Sequence, residues 1–280
     1  MPDNLPKTGS GYCPVYVFDL DGVITNPSSS RVNESVTDAM RLLLAAGFIL
    51  AVNTGRSFEW VEQNLLERLR HDGHSRIFDR FVAVCEKGGE MAILQNNRWS
   101  VTPSEFAVAH DTYEIARTTF NQAKDRLKSM FWDNTKRTMA SIEKLPSADL
   151  DTFHAEQRML VSMLSESLSG HEIRIDATTI ATDVESPRAG KYAGAQLIYT
   201  WVRPLMGEDN RSCRPSFISI GDSASDYDMA RYFAEQGADS TCIYVGMPAD
   251  KILYDERVKF VATTAHYDAG TLEFLAAHTT

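Results

Sequence analysis

Two aspartates separated by a single leucine follow the first apolar segment of the chain, VYVF at 15–18. Asp19 and Asp21 lie where a buried strand would end, and Gly22 then allows a sharp turn that a residue with a Cβ would resist. Carboxylates held this close repel one another unless a cation, a proton or a substrate relieves the repulsion. The spacing therefore indicates metal-assisted chemistry on an anionic substrate.

Two further apolar strands end in clusters of small and polar residues. NTGR at 53–56 follows FILAVN at 48–53, and GDSASD at 221–226 follows SFISI at 216–220. Ligands bind at the carboxyl ends of strands in open parallel sheets, so three such clusters outweigh a single DxDG, which ordinary turns also favour. Lys191, at the start of a predicted helix, could add positive charge to the same site.

The elements that would position these residues alternate between strand and helix from the start of the chain. Apolar strands are predicted at 15–19, 48–53 and 81–85, and amphipathic helices at 34–46 and 57–70 connect them. This βαβαβ pattern is typical of a doubly wound parallel sheet. The pattern resumes near the carboxyl end, with predicted helices and strands at 189–202, 216–220, 224–236, 242–246 and 259–262.

The interval between these two halves has a different pattern. Strands that alternate apolar and polar residues are interleaved with helices predicted at 111–130 and 150–168, which indicates an α+β layer. We therefore expect an α/β protein with a Rossmann-like core and an inserted smaller domain. The predicted domains are residues 1–87 and 187–280 for the core and residues 88–186 for the insertion.

Composition narrows the class of protein. The formal charge of −10 argues against a nucleic-acid-binding surface, where a basic stripe is expected. No stretch approaches the roughly 20 apolar residues of a membrane helix, and the polar first twelve residues resemble a disordered segment without a secretion signal. The four cysteines have no metal-binding spacing and are expected to be reduced, which favours the cytoplasm. Composition says nothing about oligomeric state.

Taken in order, these motifs resemble those of the haloacid dehalogenase (HAD) superfamily of phosphohydrolases. DLDGVIT at 19–25 is similar to motif I, NTGR to motif II, Lys191 to motif III and GDSASD to motif IV. The position of the insertion resembles that of a type C2 cap, found in the branch that holds sucrose-phosphate, trehalose-phosphate, mannosyl-phosphoglycerate and Cof-type phosphatases. The sequence CEKGG at 85–89 departs from the family, which often has Asn-Gly there.

The resemblance implies specific roles. Asp19 would be the nucleophile that forms an aspartyl-phosphate, and Asp21 would protonate the leaving alcohol and later activate water. Thr54, the backbone amides near Gly55 and the Lys191 ammonium would hold the phosphoryl oxygens. The expected substrate is a small phosphorylated metabolite, with sugar phosphates as the leading class.

The resemblance also implies a magnesium site. Its ligands would come from Asp19, Asp21, Asp222 and Asp226, together with the backbone carbonyl of Leu20. Asp226 could instead hold the metal ligands in place without binding the metal itself, or it could pair with Lys191. In isolation, both later aspartates would be better explained as caps of a helix amino terminus, and motif I is what favours the metal role.

Two alternatives to a phosphatase follow from the same residues. A phosphomutase of the phosphomannomutase type shares the DxDG start and the C2 cap, but the sequence RAGK at 188–191 differs from the expected mutase signature. A non-catalytic binder of phosphorylated metabolites would need a decayed site, whereas every motif position here holds a competent residue. We therefore expect a Mg²⁺-dependent phosphatase.

Overall fold

The computed structural model describes residues 12–26, 31–70, 75–206, 214–248, 252 and 254–279. The chain forms two compact units. The core unit comprises Met1–Thr102 and Gly190–Thr280, and the inserted unit comprises Pro103–Ala189. The amino-terminal segment predicted to be disordered lies almost wholly outside the described residues.

The regular elements are numbered along the chain. The strands are β1 (Tyr12–Phe18), β2 (Thr25–Asn26), β3 (Arg31–Val32), β4 (Ile49–Asn53), β5 (Phe81–Cys85), β6 (Glu90–Gln95), β7 (Arg98–Pro103), β8 (Met130–Trp132), β9 (Ala140–Lys144), β10 (Arg174–Ala177), β11 (Ala181–Glu185), β12 (Arg214–Gly221), β13 (Asp239–Tyr244) and β14 (Val258–Ala262). The α-helices are α1 (Glu34–Ala45), α2 (Phe58–Val61), α3 (Glu67–Leu69), α4 (His110–Ala123), α5 (Leu150–Ser167), α6 (Lys191–Leu205), α7 (Ala224–Glu235) and α8 (Tyr267–Thr279). A π-helical turn (Glu62–Leu66) joins α2 to α3.

The core unit is built on an eight-stranded sheet with the order β14-β13-β12-β1-β4-β5-β6-β7. The strands from β14 to β5 are parallel to their neighbours, and β6 is antiparallel to β5. Strand β1 is central, with Phe18 paired to Ile220 on one side and to Val52 on the other. The carboxyl ends of β1, β4 and β12 therefore lie side by side.

Alternate residues of β1 enter two different hydrophobic cores, one on each face of the sheet. Tyr16 and Phe18 belong to a cluster that includes apolar residues of α1 and α8, whereas Val15 and Val17 belong to one that includes residues of α6 and α7. All four side chains are fully buried. Because a parallel sheet buries both of its faces, its strands are apolar throughout rather than alternating. The predicted doubly wound α/β fold is confirmed.

The inserted unit has its own four-stranded sheet, in the order β10-β11-β9-β8, with antiparallel pairing throughout. Helices α4 and α5 contribute Phe120, Phe153 and Leu160 to a separate hydrophobic cluster, which also contains Ile142 of β9 and Val184 of β11. The unit thus has an independent core. This is the α+β layer that the alternating pattern predicts.

Several boundaries differ from those predicted. Strands β6 and β7 extend the large sheet, so the inserted unit spans residues 103–189 rather than 88–186. The helix expected at 111–130 ends at Ala123, and Met130, the last residue of the predicted range, instead begins β8 and pairs with β9. The short hairpin of β2 and β3 and the carboxyl-terminal helix α8 were not predicted.

Cysteine pairing also differs from the expectation. Cys85 and Cys242 are free and buried, as predicted, but Cys13 is disulfide-bonded. The prediction of four reduced thiols is therefore wrong, which weakens the basis for a cytoplasmic location. Among the described residues, no helix combines the length and the apolar character that crossing a membrane requires.

Candidate active site

The Lys191 ammonium joins three of the predicted motifs. Its Nζ lies 2.5 Å from Asp19 Oδ1 and 2.9 Å from Asp226 Oδ1, and it donates a hydrogen bond of 2.7 Å to the carbonyl oxygen of Asn53. The Lys191 side chain is only 14% exposed and that of Asp226 only 2%. Motifs I, II and IV therefore converge on one buried cation.

Helix α6 is fixed so that Lys191 reaches this position. The Asn53 side chain donates from Nδ2 to the Lys191 carbonyl oxygen at 2.8 Å, so Asn53 bonds both the backbone and the ammonium of the same lysine. Gly194 makes this possible, because a Cβ there would lie 2.0 Å from Asn53 Oδ1. The close approach of α6 to the end of β4 thus depends on a residue without a side chain.

The turn after Asp19 is organised around one carbonyl oxygen. Leu20 O accepts hydrogen bonds from the backbone N–H groups of Val23, Ile24 and Thr25 and from the Thr25 hydroxyl. Because this oxygen already has several donors, it is poorly suited to bind a metal, contrary to the expectation for Leu20. The turn also contains Gly22 at φ +75°, in the left-handed region that favours glycine.

Asp222 and Asp226 occupy different positions at the start of α7. Asp226 Oδ2 accepts hydrogen bonds from Asp222 N, Ser223 N and the Ser223 hydroxyl, which forms a capping box. Its other oxygen pairs with Lys191. Asp226 thus caps the helix and holds the lysine, two of the roles that the sequence left open. Asp222 lies against the motif I turn, since a Cβ on Gly22 would lie 2.0 Å from its Oδ2.

Asp19, Asp222 and Asp226 form the acidic group best suited to a divalent cation. One carboxylate oxygen of each lies within 4.8 Å of the others. Hard carboxylate oxygens are the ligands that Mg²⁺ prefers, so the donor set fits this metal. Since Asp226 Oδ2 accepts three hydrogen bonds and its Oδ1 forms an ion pair with Lys191, Asp19 and Asp222 are the better candidates for direct ligands.

Asp21 does not belong to this acidic group. Its side chain is half exposed and receives two hydrogen bonds from Arg56, Nε to Oδ2 at 2.9 Å and Nη2 to Oδ1 at 2.8 Å. The guanidinium carbon of Arg56 lies 5.1 Å from the centre of the Trp60 ring, which restricts its orientation. Arg56 therefore positions the carboxylate to which the family resemblance gives the role of acid and base. The expectation that Asp21 binds the metal through its side chain has no support in this geometry.

Thr54 and Gly55 form the loop after β4. Thr54 is 1% exposed, and its hydroxyl oxygen accepts a hydrogen bond of 3.1 Å from Arg56 N. Its backbone N–H donates to Val84 O, and its carbonyl oxygen accepts from Lys87 N. The loop is thus tied to the end of β5, and its geometry is fixed independently of any ligand.

Burial dominates the electrostatics of the site. It raises the pKa of Asp19 to about 8, although Lys191 lowers it, and repulsion from Asp226 raises it further. Burial, followed by repulsion from Asp226, raises the pKa of Asp222 to about 6. For Lys191, burial favours the neutral amine, but attraction to Asp19 and Asp226 prevails and the pKa is raised. The lysine is therefore charged, and a further cation would favour ionisation of both raised carboxyls.

A second acidic group, Asp176, Asp183 and Glu185, lies on the sheet of the inserted unit. Arg174 donates to Glu185 Oε1 from Nε at 2.9 Å, and the Ser141 hydroxyl donates to Asp183 Oδ1 at 2.6 Å. These contacts account for the carboxylates as parts of a hydrogen-bonded sheet face. We assign no metal to this group.

Two residues have roles in the site that the sequence pattern does not assign. Arg56 holds Asp21 through two hydrogen bonds, and Asn53 anchors Lys191. Both lie within NTGR, at the carboxyl end of the buried strand β4, so their position at this edge of the sheet could have indicated a role. Their partners are distant in the chain and could not be derived from spacing.

Comparisons of the structure with solved structures identify its fold. The chain aligns with the C. albicans trehalose-6-phosphate phosphatase C-terminal domain at a TM-score of 0.66 and 13% identity, covering 95% of this chain and 92% of that chain. Trehalose-6-phosphate phosphatase of Aspergillus fumigatus aligns at a TM-score of 0.55 and 16% identity, with coverage of 95% and 92%. A phosphatase of the haloalkanoate (HAD) superfamily from Bacteroides thetaiotaomicron aligns at 0.55 and 14% identity, with coverage of 100% and 99%.

These likenesses extend over both units of the chain, so the resemblance to HAD-superfamily phosphatases is confirmed at the level of the fold. No protein-family model and no curated protein sequence matches the chain. At such low identity, activity and substrate must be argued from the site itself.

Proposed function

We propose that the chain is a Mg²⁺-dependent phosphomonoesterase that acts through an aspartyl-phosphate at Asp19. The observation that carries this proposal is the placement of Asp19. It lies at the end of the central strand, 2.5 Å from a buried ammonium and in one acidic group with Asp222 and Asp226. A carboxylate between a fixed cation and a cation-binding group is suited to approach an anionic phosphate.

The chain's own residues divide the reaction into two displacements. An Asp19 oxygen attacks phosphorus, so that an O–P bond forms while the bond to the substrate's alcohol oxygen breaks. Asp21, oriented by Arg56, gives its proton to that alcohol. Asp21 then takes a proton from water, whose oxygen attacks phosphorus and releases phosphate and the free carboxylate. Lys191 and the loop of Thr54 and Gly55 hold the phosphoryl oxygens.

The proposed metal ligands are the carboxylates of Asp19 and Asp222, with Asp226 supporting them through Lys191 and the start of α7. When bound, Mg²⁺ would neutralise negative charge between nucleophile and substrate. Waters and a phosphate oxygen would complete a coordination shell in which Mg²⁺ prefers few protein ligands. We exclude the Leu20 carbonyl and the Asp21 side chain from this set because both already have hydrogen-bond partners.

A sugar phosphate is the substrate class that we favour. Two of the structurally similar proteins are trehalose-6-phosphate phosphatases, and their likeness extends over 95% of this chain. Trehalose 6-phosphate is therefore the first compound to test. We assign substrate selection to the inserted unit, Pro103–Ala189, which has its own core and sheet.

The test is phosphate release from a panel of sugar phosphates, phosphoglycerates, phosphoglycolate and nucleotides, measured with Mg²⁺ and with EDTA. We expect metal-dependent release from one or a few sugar phosphates, and none by Asp19→Asn. Lys259→Gln, a change of one exposed charge on β14, is the control and should match wild type. Release that persists in EDTA or in Asp19→Asn would contradict the proposal. An isomerised sugar phosphate without phosphate release would indicate the mutase instead.

A further inference from the structure

The segment after β5 has an unusual backbone. Glu86, Lys87 and Gly88 follow one another with φ values of +50°, +56° and +95°. Left-handed backbone is unfavourable for residues with a side chain, because Cβ approaches the following carbonyl oxygen. Two consecutive non-glycine residues in this region are therefore strained, and such strain persists only where the surrounding structure imposes it.

Hydrogen bonds to the candidate site impose this conformation. Glu86 N donates to Arg56 O at 3.0 Å, and Lys87 N donates to Thr54 O at 2.9 Å. On the other side, Gly190 N donates to Lys87 O at 2.7 Å. The strained turn thus connects the loop after β4 with the residue that precedes Lys191.

The conformation places the Lys87 side chain on Gly55. A Cβ built on Gly55 would lie 3.6 Å from Lys87 Cγ and 3.9 Å from Lys87 Cε. The aliphatic part of Lys87 therefore runs past the open side of Gly55, and its ammonium is bonded to a carbon that lies 3.9 Å from where that Cβ would be. Gly55 is a backbone donor of the loop proposed to hold the phosphoryl oxygens.

The position of Lys87 complements the rest of the site. Asp222 follows β12 on one side of β1, and Lys87 follows β5 on the side of β4. The proposed metal and the Lys87 ammonium would thus contact an anion bound beside Asp19 from opposite sides. Neither composition nor the motif pattern assigns Lys87 any role, and the strain is unexplained if the residue only completes a turn, because glycine would serve better.

We propose that Lys87 is a substrate-binding residue whose ammonium contacts the phosphoryl group beside the Gly55 amide. This inference rests on the proposed function for the identity of the anion. Ion-paired hydrogen bonds to phosphate are strong, so loss of the charge should weaken phosphate binding by about tenfold. The contact is made in the bound substrate as well as during reaction, so KM should rise more than kcat falls.

The experiment is calorimetric titration of the full chain with inorganic phosphate in the presence of Mg²⁺. Lys87→Gln removes the charge and keeps the strain, Lys87→Arg keeps the charge, and Lys87→Gly removes both. Lys259→Gln is the control for loss of an exposed positive charge. Melting temperatures are measured for every variant without phosphate.

We expect about tenfold weaker phosphate binding by Lys87→Gln and Lys87→Gly, near wild-type binding by Lys87→Arg, and no change in Lys259→Gln. Lys87→Gly should also melt about 2 °C higher than wild type, because glycine relieves the left-handed strain. Equal phosphate affinity in wild type and Lys87→Gln, including no binding by either, would overturn the proposal, as would a lower melting temperature of Lys87→Gly. Because phosphate binding needs no turnover, Lys87-dependent binding without catalysis would refute only the proposed function.

Discussion

Replacing Lys191 with glutamine tests the electrostatic architecture of the site without any knowledge of the substrate. The ammonium is the shared partner of Asp19 and Asp226, and it also bonds the Asn53 carbonyl. In Lys191→Gln, two carboxylates with oxygens within 4.8 Å of one another would remain buried without their cation. Removing one partner of a buried ion pair costs about 3–5 kcal/mol, because the other charge stays desolvated.

The size of this loss should depend on pH. Without Lys191, the pKa of Asp19 would rise above its value of about 8, because the nearby positive charge that lowers it would be gone. Above pH 8, the folded variant then keeps a proton on Asp19 that folded wild type has released, while the unfolded chains bind equal numbers of protons. The deficit in unfolding free energy should therefore grow by up to about 1.4 kcal/mol for each pH unit above 8, until the pKa of Asp19 in the variant is reached, and Asp19 should make no contribution to its pH dependence below 8.

The assay is urea unfolding in EDTA at pH 9 and pH 7. We expect a deficit of about 3–5 kcal/mol at pH 9 that is smaller by about 1 kcal/mol at pH 7. Lys259→Gln, the exposed control, should lie within about 0.5 kcal/mol of wild type at both values. A deficit of Lys191→Gln that is absent at pH 9, or equal at pH 9 and pH 7, would refute the interpretation of Lys191 as the cation that neutralises two buried carboxylates.

Further predictions concern the groups around this cation. Gly22→Ala should lose roughly 1–2 kcal/mol of unfolding free energy, because alanine is unfavourable in left-handed backbone. It should also bind Mg²⁺ more weakly, since its Cβ would meet Asp222; Mg²⁺ affinity equal to that of wild type in calorimetry would contradict this. Arg56→Gln should lower kcat about tenfold, because Asp21 would no longer be held in position. Arg56→Lys should restore kcat only in part, because lysine lacks the paired donors. Full activity of Arg56→Gln in steady-state kinetics would be evidence against the positioning role. Mg²⁺ should raise the melting temperature more at pH 8 than at pH 5. Burial raises the pKa of Asp222 to about 6, so at pH 5 protons compete with the metal for this carboxylate. An equal rise in melting temperature at both pH values would argue against Asp222 as a ligand.

The large-scale organisation was accessible from the sequence because it depends on hydrophobic periodicity. Apolar strands separated by amphipathic helices predicted the doubly wound sheet, and the change to alternating strands predicted the inserted unit. The same reasoning misplaced the start of that unit at residue 88, because β6 and β7 alternate in polarity like the strands that follow. Their membership in the large sheet depends on the pairing of β6 with β5 and of β7 with β6, which periodicity does not encode.

The site was predictable where strand ends determine position. Asp19 and Asp222 follow strands paired in parallel, so sequence pattern and topology together bring them to one edge. Individual hydrogen bonds within the site were harder to predict from the sequence. The pairing of Asp21 with Arg56 and the occupied carbonyl of Leu20 depend on the conformation of two loops. The backbone strain at Lys87 likewise arises from hydrogen bonds between residues far apart in the chain.

The most direct measurement of the central claim is whether a phosphoryl group becomes attached to Asp19. p-Nitrophenyl phosphate suits this test, because its leaving group departs without a proton from Asp21. Acid-quenched reactions with Mg²⁺ would be digested and analysed by mass spectrometry. We predict that Asp21→Asn accumulates a phosphoryl group on the peptide containing Asp19, because water is no longer activated, and that Asp19→Asn carries none. Turnover of p-nitrophenyl phosphate with no phosphorylated peptide in wild type or in Asp21→Asn would contradict the covalent mechanism.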